Sequence, residues 1–235
     1  MIRNKIPVLN TGMTLLSYLF HVSLSGLTRQ SFRILFLLLP ALLFAQPADS
    51  QKDKEEFAKV CASISSKKIT KGDFKQLKFI HRLKREMGSS GIFVISADDG
   101  ILWQTQKPYF STMAMTKSAI IQTNAKGKKS VISAESNATF DQFSKVLSSV
   151  FTGNAGVLIE NFEVEFIGST DNWSINLIPK NSSVRKVVEE IEMVGKISID
   201  LMTIHEPNGD YIRYEFLKHV YPEALTEEEK ALFNK

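Results

Sequence analysis

The chain has 235 residues, 43% of them apolar and 23% charged, with 29 basic against 25 acidic side chains. Four of the basic residues, Arg3, Lys5, Arg29 and Arg33, lie in residues 1–45 beside no acidic one, so 29 less these four leaves 25 against 25 in the remainder. A neutral remainder excludes the strong basic field that nucleic-acid binding needs, and a single cysteine, Cys61, excludes an internal disulfide.

In chain order the first feature is the apolar run Ile34–Ala45, preceded by Arg29 and Arg33 and followed by the small-residue segment Ala45–Ala48. This arrangement predicts a secretory signal peptide over residues 1–45, cleaved after Ala45 or Ala48. At about 1.5 Å of rise per helical residue the run is too short to cross a hydrocarbon core of ~30 Å. The alternative is an uncleaved anchor, because Met13–Leu27 is also fairly apolar. Cleavage leaves residues 49–235 as a single exported domain, large enough to bury roughly 70% of its unfolded surface.

That domain opens with a helix over about Asp53–Ser65, whose apolar face carries Phe57, Val60, Cys61 and Ile64 and whose start is capped through Ser50 and Asp53. The period then changes to two: Leu77, Phe79, His81 and Leu83 alternate with Lys78, Ile80, Arg82 and Lys84, predicting a strand with the first set buried. Gly88–Gly91 is read as a turn, and strands follow at Ile92–Ser96, Ile101–Thr105, Phe110–Thr116, Ala119–Thr123 and Lys129–Ser133, punctuated by Asp98-Asp99-Gly100, Pro108 and Gly127. A helix over Thr139–Phe151 carries the stripe Phe140, Phe143, Leu147, Val150 and Phe151. Strands resume at Leu158–Ile167, Trp173–Ile178, Val187–Val194, Ile197–His205 and Tyr211–His219, with a hairpin at Asn208-Gly209 and a short capped helix from Thr226.

Some ten antiparallel strands with two substantial helices cannot lie flat, because sheets twist and long ones curl. The fold class expected is α+β: a strongly curved antiparallel sheet, a half-open β-barrel, with helices lidding an apolar cavity.

Several short motifs fit that expectation: Phe74-Lys-Gln76, Gly91-Ile-Phe-Val94, Gly100-Ile-Leu-Trp103 with Pro108 beyond it, and Trp173-x-Ile175-x-Leu177-Ile-Pro179-Lys180. Towards the end come Ile191-Glu192, Ile197, Asn208-Gly209-Asp210 and Ile212-x-Tyr214-x-Phe216. On these residues, nearly all of 50–235 resembles the periplasmic outer-membrane lipoprotein carriers, the LolA-like proteins. The resemblance implies a periplasmic, monomeric carrier that takes acyl chains of lipoproteins, or of another acylated lipid, from an inner-membrane transporter and delivers them to an outer-membrane acceptor. It implies no cofactor. The acyl-binding residues expected are Phe93, Trp103, Met113, Met115, Phe140, Phe143, Leu147, Phe151, Phe162, Phe166 and Trp173. Where the carriers place an arginine ahead of the tryptophan, this chain has Ser96 and Ala97. The rival from another class is an envelope lipid or lipoprotein sensor, an interaction module on a related half-barrel.

The chain carries no arrangement pointing to an enzyme. Gly88-Ser-Ser-Gly91 is not a nucleophile elbow, and His81, His205 and His219 stand apart with no zinc-ligand spacing. The asymmetric feature is the basic run Lys67, Lys68, Lys71, Lys75, Lys78, Arg82, Lys84 and Arg85, read as a solvated strand face, with docking to anionic headgroups or an acidic partner as the minority reading.

Overall fold

The structure, a computed structural model, describes residues 50–133 and 138–234. The leader expected over residues 1–45 and its cleavage positions lie outside these, and for residues 138–143 the backbone alone is described. Ser50–Lys235 forms one compact unit.

Helix α1 (Ser50–Ser65) leads into six strands: β1 (Ile69–Ile80), β2 (Arg85–Ser96), β3 (Gly100–Lys107), β4 (Ser111–Met115), β5 (Ala119–Thr123) and β6 (Lys129–Ser133). Helices α2 (Ala138–Thr152) and α3 (Ala155–Asn161) follow, then β7 (Phe162–Ser169), β8 (Asn172–Pro179), the short α4 (Ser182–Arg185), β9 (Glu190–Gly195), β10 (Ile199–His205), β11 (Tyr211–Val220) and α5 (Glu227–Leu232). The eleven strands make one open antiparallel sheet ordered β6-β5-β4-β3-β2-β1-β11-β10-β9-β8-β7. Two meanders, β1–β6 and β7–β11, therefore fill opposite halves of the sheet and meet at the central β1–β11 pair. The architecture is the α+β class with a half-open curved sheet.

The curl is measured by side chains that reach across it. Trp103 on β3 and Tyr214 on β11 are separated by β1 and β2, about 14 Å on a flat sheet at ~4.8 Å per strand. Their ring centroids are 6.1 Å apart. Glycines permit the bend: a Cβ at Gly91 would lie 2.0 Å from the Gln104 carbonyl oxygen, and one at Gly72 would lie 2.4 Å from that of Leu217.

The sheet buries both faces. Directly paired residues share a face, so the register puts Phe74, Phe93, Trp103, Met113, Met115, Ile175, Met193, Met202, Tyr214 and Phe216 on the side that meets the helices. The outer face has its own smaller core, where Ile69, Val94, Leu102, Ala114 and Ile121 pack against Leu225 and Phe233 from the C-terminal segment. The Thr226 hydroxyl and Glu229 carboxylate cap α5 reciprocally, holding this segment in place.

Five local expectations are corrected. β1 begins at Ile69 and ends at Ile80, with His81–Leu83 forming a 3₁₀ turn closed by Lys84 in the left-handed region. Its buried face is the opposite one: Phe74 pairs with Phe216 and Lys78 with Ile212, and Leu77 and Phe79 lie on the outer side. The alternation alone does not say which set faces in; the partner strand Ile212, Tyr214, Phe216 decides it. Gly88–Gly91 is not a turn but the middle of β2, and Gly91 is glycine because the Gln104 backbone approaches it too closely for a Cβ. Leu158–Asn161 is helical, because Asn154 caps α3 by accepting from the Val157 amide at 3.2 Å, and the strand starts at Phe162. The strand expected from Val187 starts at Glu190, after α4, which Asn181 caps.

Gly91→Ala is expected to lower stability by about 1–3 kcal/mol, the range for forced overpacking. Gly88→Ala, three residues earlier with its nearest neighbour atom at 3.9 Å, should stay within about 0.5 kcal/mol of the parent. Denaturant unfolding of the two variants side by side checks the contrast, and equal losses would place the origin of the curl elsewhere.

Candidate functional site

The inner face is lined by rings that meet edge to face. Phe151 of α2 contacts Trp103 (centroids 5.3 Å) and Phe216 (6.1 Å), and Phe93 contacts Phe216 at 5.0 Å. Tyr214 stacks on Phe216 at 5.9 Å and meets Phe74 at 6.3 Å. These separations lie in the favourable range for aromatic pairs. Helix α2 thus inserts an aromatic plug among the sheet rings. Beside Phe151 it buries Val146 and Val150, and the Ser144 hydroxyl donates to the Thr116 carbonyl of the β4–β5 turn at 3.2 Å.

Of the sheet residues expected to line a cavity, Phe93, Trp103, Met113, Met115, Phe162, Phe166 and Trp173 all lie on this inner face. They divide into two groups. Phe93, Trp103, Met113 and Met115 lie on β2–β4, three of them buried and Met113 half-buried. Phe162, Phe166 and Trp173 line the far wall under α1, where Phe57 meets Phe166 at 6.1 Å. Leu147 on α2 is half-buried, and the side chains of Phe140 and Phe143 lie outside the described residues. The sequence reading missed Phe74, Tyr214 and Phe216 as lining residues, although the alternation Ile212, Tyr214, Phe216 put all three on one face.

The two tryptophans differ. Trp173 donates its Nε1–H to the Lys196 carbonyl at 2.6 Å and is a fixed part of the wall. The Trp103 indole is 6% exposed and its Nε1–H has no acceptor among the described residues. It is therefore a donor held in an apolar chamber, where an unmade hydrogen bond is costly.

The space differs too. Between Phe93, Ile95, Phe151, Phe216 and His219 the void is about 20 Å³, room for one water. A larger cavity of about 500 Å³ opens between α2, α3 and the β2–β3 and β4–β5 turns, a volume typical of small-ligand sites. Met115 forms part of its floor, and Thr116, Ser148, Thr152 and Asn161 part of its rim. Met115 shares the inner sheet face with Trp103, so this polar-rimmed cavity opens on the same face that the aromatic rings line.

A charged pair sits at the far end of the inner face. Lys78 Nζ lies 3.7 Å from Glu206 Oε1, with both side chains buried. Burial pushes the Glu206 carboxyl above its ordinary value near 4.5, the Lys78 charge opposing and Asp210 reinforcing the shift. Burial likewise pushes the Cys61 thiol up to about 12, so it is unreactive. Among the described residues no group of three His, Cys, Asp or Glu is placed to hold a metal, and no helix is long and apolar enough to cross a membrane.

No protein-family model matches the chain, and no curated protein does. Among solved structures it is similar to a DUF1329 family protein from Desulfovibrio piger, at 10% identity and TM-score 0.45, over 76% of this chain and 96% of that one. It is also similar to a putative outer membrane lipoprotein-sorting protein domain from Vibrio parahaemolyticus, at 8% identity and TM-score 0.43, over 79% of this chain and 100% of that one. A third similar structure is a LolA superfamily protein from Nitrosomonas europaea, at 6% identity and TM-score 0.43, over 75% of this chain and 96% of that one.

Since Glu206 takes up its proton more readily in the folded chain than in the unfolded one, its contribution favours folding below about pH 4.5 and is lost as pH rises through the raised folded value. The parent should therefore lose stability relative to Glu206→Gln as pH is raised through that window. Unfolding midpoints of both proteins across acid to neutral pH measure this, and parallel curves would refute it.

Proposed function

We propose that this chain is an exported, non-enzymatic carrier of acylated cargo, acting as a monomer in the periplasm after removal of the leader at Ala45 or Ala48. The observation that carries the reading is the cavity of about 500 Å³ between α2 and α3, lined by Met115 from the same inner sheet face whose rings α2 plugs with Phe151. An amphiphile fits such a division: its headgroup meets the hydroxyl and amide rim, and its acyl chain passes Met115 into the space that Phe151 fills in the closed form. The Trp103 indole offers a hydrogen bond to an ester or amide carbonyl entering with the chain.

On this reading Phe93, Trp103, Met113 and Met115 are acyl contacts on the sheet, and Leu147, Phe151 and the α2 residues Phe140 and Phe143 belong to the lid. Phe162, Phe166 and Trp173 line the deeper wall. Cargo arrives from an inner-membrane transporter and leaves to an outer-membrane acceptor. Affinity comes from burial: at ~0.8 kcal/mol per methylene, half of a long chain contributes several kcal/mol before ordering costs. The chamber of about 20 Å³ cannot take an acyl chain unless α2 lifts away, so lid movement is the obligatory step.

Thr116→Cys with Ser144→Cys tests this, because the Ser144 hydroxyl already reaches the Thr116 carbonyl and the buried Cys61 does not compete. Oxidation, verified by mass, should lower affinity for a fluorescent fatty acid at least ~100-fold, equivalent to losing several buried methylenes, and reduction should restore it. Unchanged binding in the cross-linked form would sink the lidded-carrier reading.

A further inference from the structure

The basic run of the sequence splits in two once it is folded. Along β1 each cation that could disturb the sheet has an acidic partner: Lys71 with Glu229, Lys75 with Glu215 at 4.0 Å, and Lys78 with Glu206 at 3.7 Å. Beyond β1 the matching stops. Arg82 and Lys84 in the β1–β2 turn, Lys107 at the end of β3, and Lys126 and Lys128 in the β5–β6 turn form no ion pair among the described residues. In an antiparallel meander the β1–β2, β3–β4 and β5–β6 turns all leave from the same end of the sheet, so these five cations gather there although they are spread over 47 positions of sequence.

The same end exposes large apolar side chains. Leu83 at the tip of the β1–β2 turn is 57% exposed, and Tyr109 and Phe110 in the β3–β4 loop are 52% and 46% exposed. Nothing in the fold requires them there. They stand on two turns of the meander, with Arg82 and Lys84 flanking Leu83 and with Lys107 two residues before Tyr109. A protein partner needs a shaped and packed surface at its interface core. A bilayer interface accepts isolated apolar groups at any spacing, provided cations near them meet anionic headgroups.

We propose that this end of the sheet docks on the surface of an anionic lipid bilayer, with Leu83, Tyr109 and Phe110 entering the headgroup region and Arg82, Lys84, Lys107, Lys126 and Lys128 facing lipid phosphates. The polar-rimmed mouth beside the β2–β3 and β4–β5 turns lies at the opposite end of the strands, so docking leaves it open to solvent. The inference does not rest on the carrier reading, and its test involves no bound acyl chain.

The test uses the unit Ser50–Lys235, which contains every strand of the sheet and both of its cores, and vesicles of phosphatidylcholine alone or mixed in equal parts with phosphatidylglycerol. Co-sedimentation should occur with the anionic vesicles and not with the neutral ones. Combining Arg82→Ser, Lys84→Ser and Lys107→Ser should weaken binding about a hundredfold, at about fivefold per cation. Combining Leu83→Ser, Tyr109→Ser and Phe110→Ser should weaken it at least ~10-fold with all the cations in place. Equal binding to the two vesicle types, or full binding by the apolar triple variant, overturns the proposal. As an independent readout, Leu83→Trp should add a fluorescence component that shifts to the blue on anionic vesicles; an unshifted component overturns the insertion of the tip.

Discussion

The pairing of β1 with β11 determines what the rest of the molecule must do. With those two strands at the centre, β6 and β7 become the opposite edges of the sheet, although they are consecutive in sequence. The chain between Ser133 and Phe162 has to travel from one edge to the other, and it does so as α2 and α3. A segment that crosses a sheet face must bury an apolar stripe against it, and α2 does this with Val146, Val150 and Phe151. The helix that covers the inner face is thus a product of the connectivity, not an addition to it.

Curvature makes the crossing segment a plug. On a flat sheet the rings of Trp103 on β3 and Phe216 on β11 would stand apart, but in the curled one both meet Phe151. The close approach at Gly72 and Gly91 permits the curl, and the covered outer face prevents it from exposing the other side. The two cores have different characters. The outer one is small aliphatic and closed by a capped helix; the inner one is aromatic and thioether-rich, the composition that refills most readily when a neighbour leaves.

Much of this was legible in the sequence because period-two alternation fixes which residues share a face. Trp103 with Ile101, Met113 with Met115 and Trp173 with Ile175 each read as sharing one face, and the strand pairing shows that they do. What alternation does not fix is which set faces in where both are mixed. In β1 the apparent apolar set Leu77 and Phe79 lost to Phe74 and Lys78, because the aromatic ladder of β11 is a long-range partner that no local window contains. Gly88–Gly91 misled for a similar reason: it signals a turn locally, but Gly91 answers a close approach from Gln104 on the neighbouring strand. The ion pair between Lys78 and Glu206 joins residues 128 positions apart and left no sequence signal at all.

Because α2 is covalently tethered at both ends, its aromatic side chain competes with any incoming ligand as an intramolecular occupant. Short tethers give such an occupant an effective concentration of order millimolar. A molecule entering the chamber therefore binds against a local rival that is never diluted away, and its observed affinity is weaker than its buried surface would yield in an empty pocket. The same rival hastens departure, since the helix refills the chamber as soon as the ligand's tail begins to leave. On the carrier reading proposed above, a guest stays only as long as it outcompetes Phe151, an arrangement that would favour handover to any acceptor with an unobstructed apolar site.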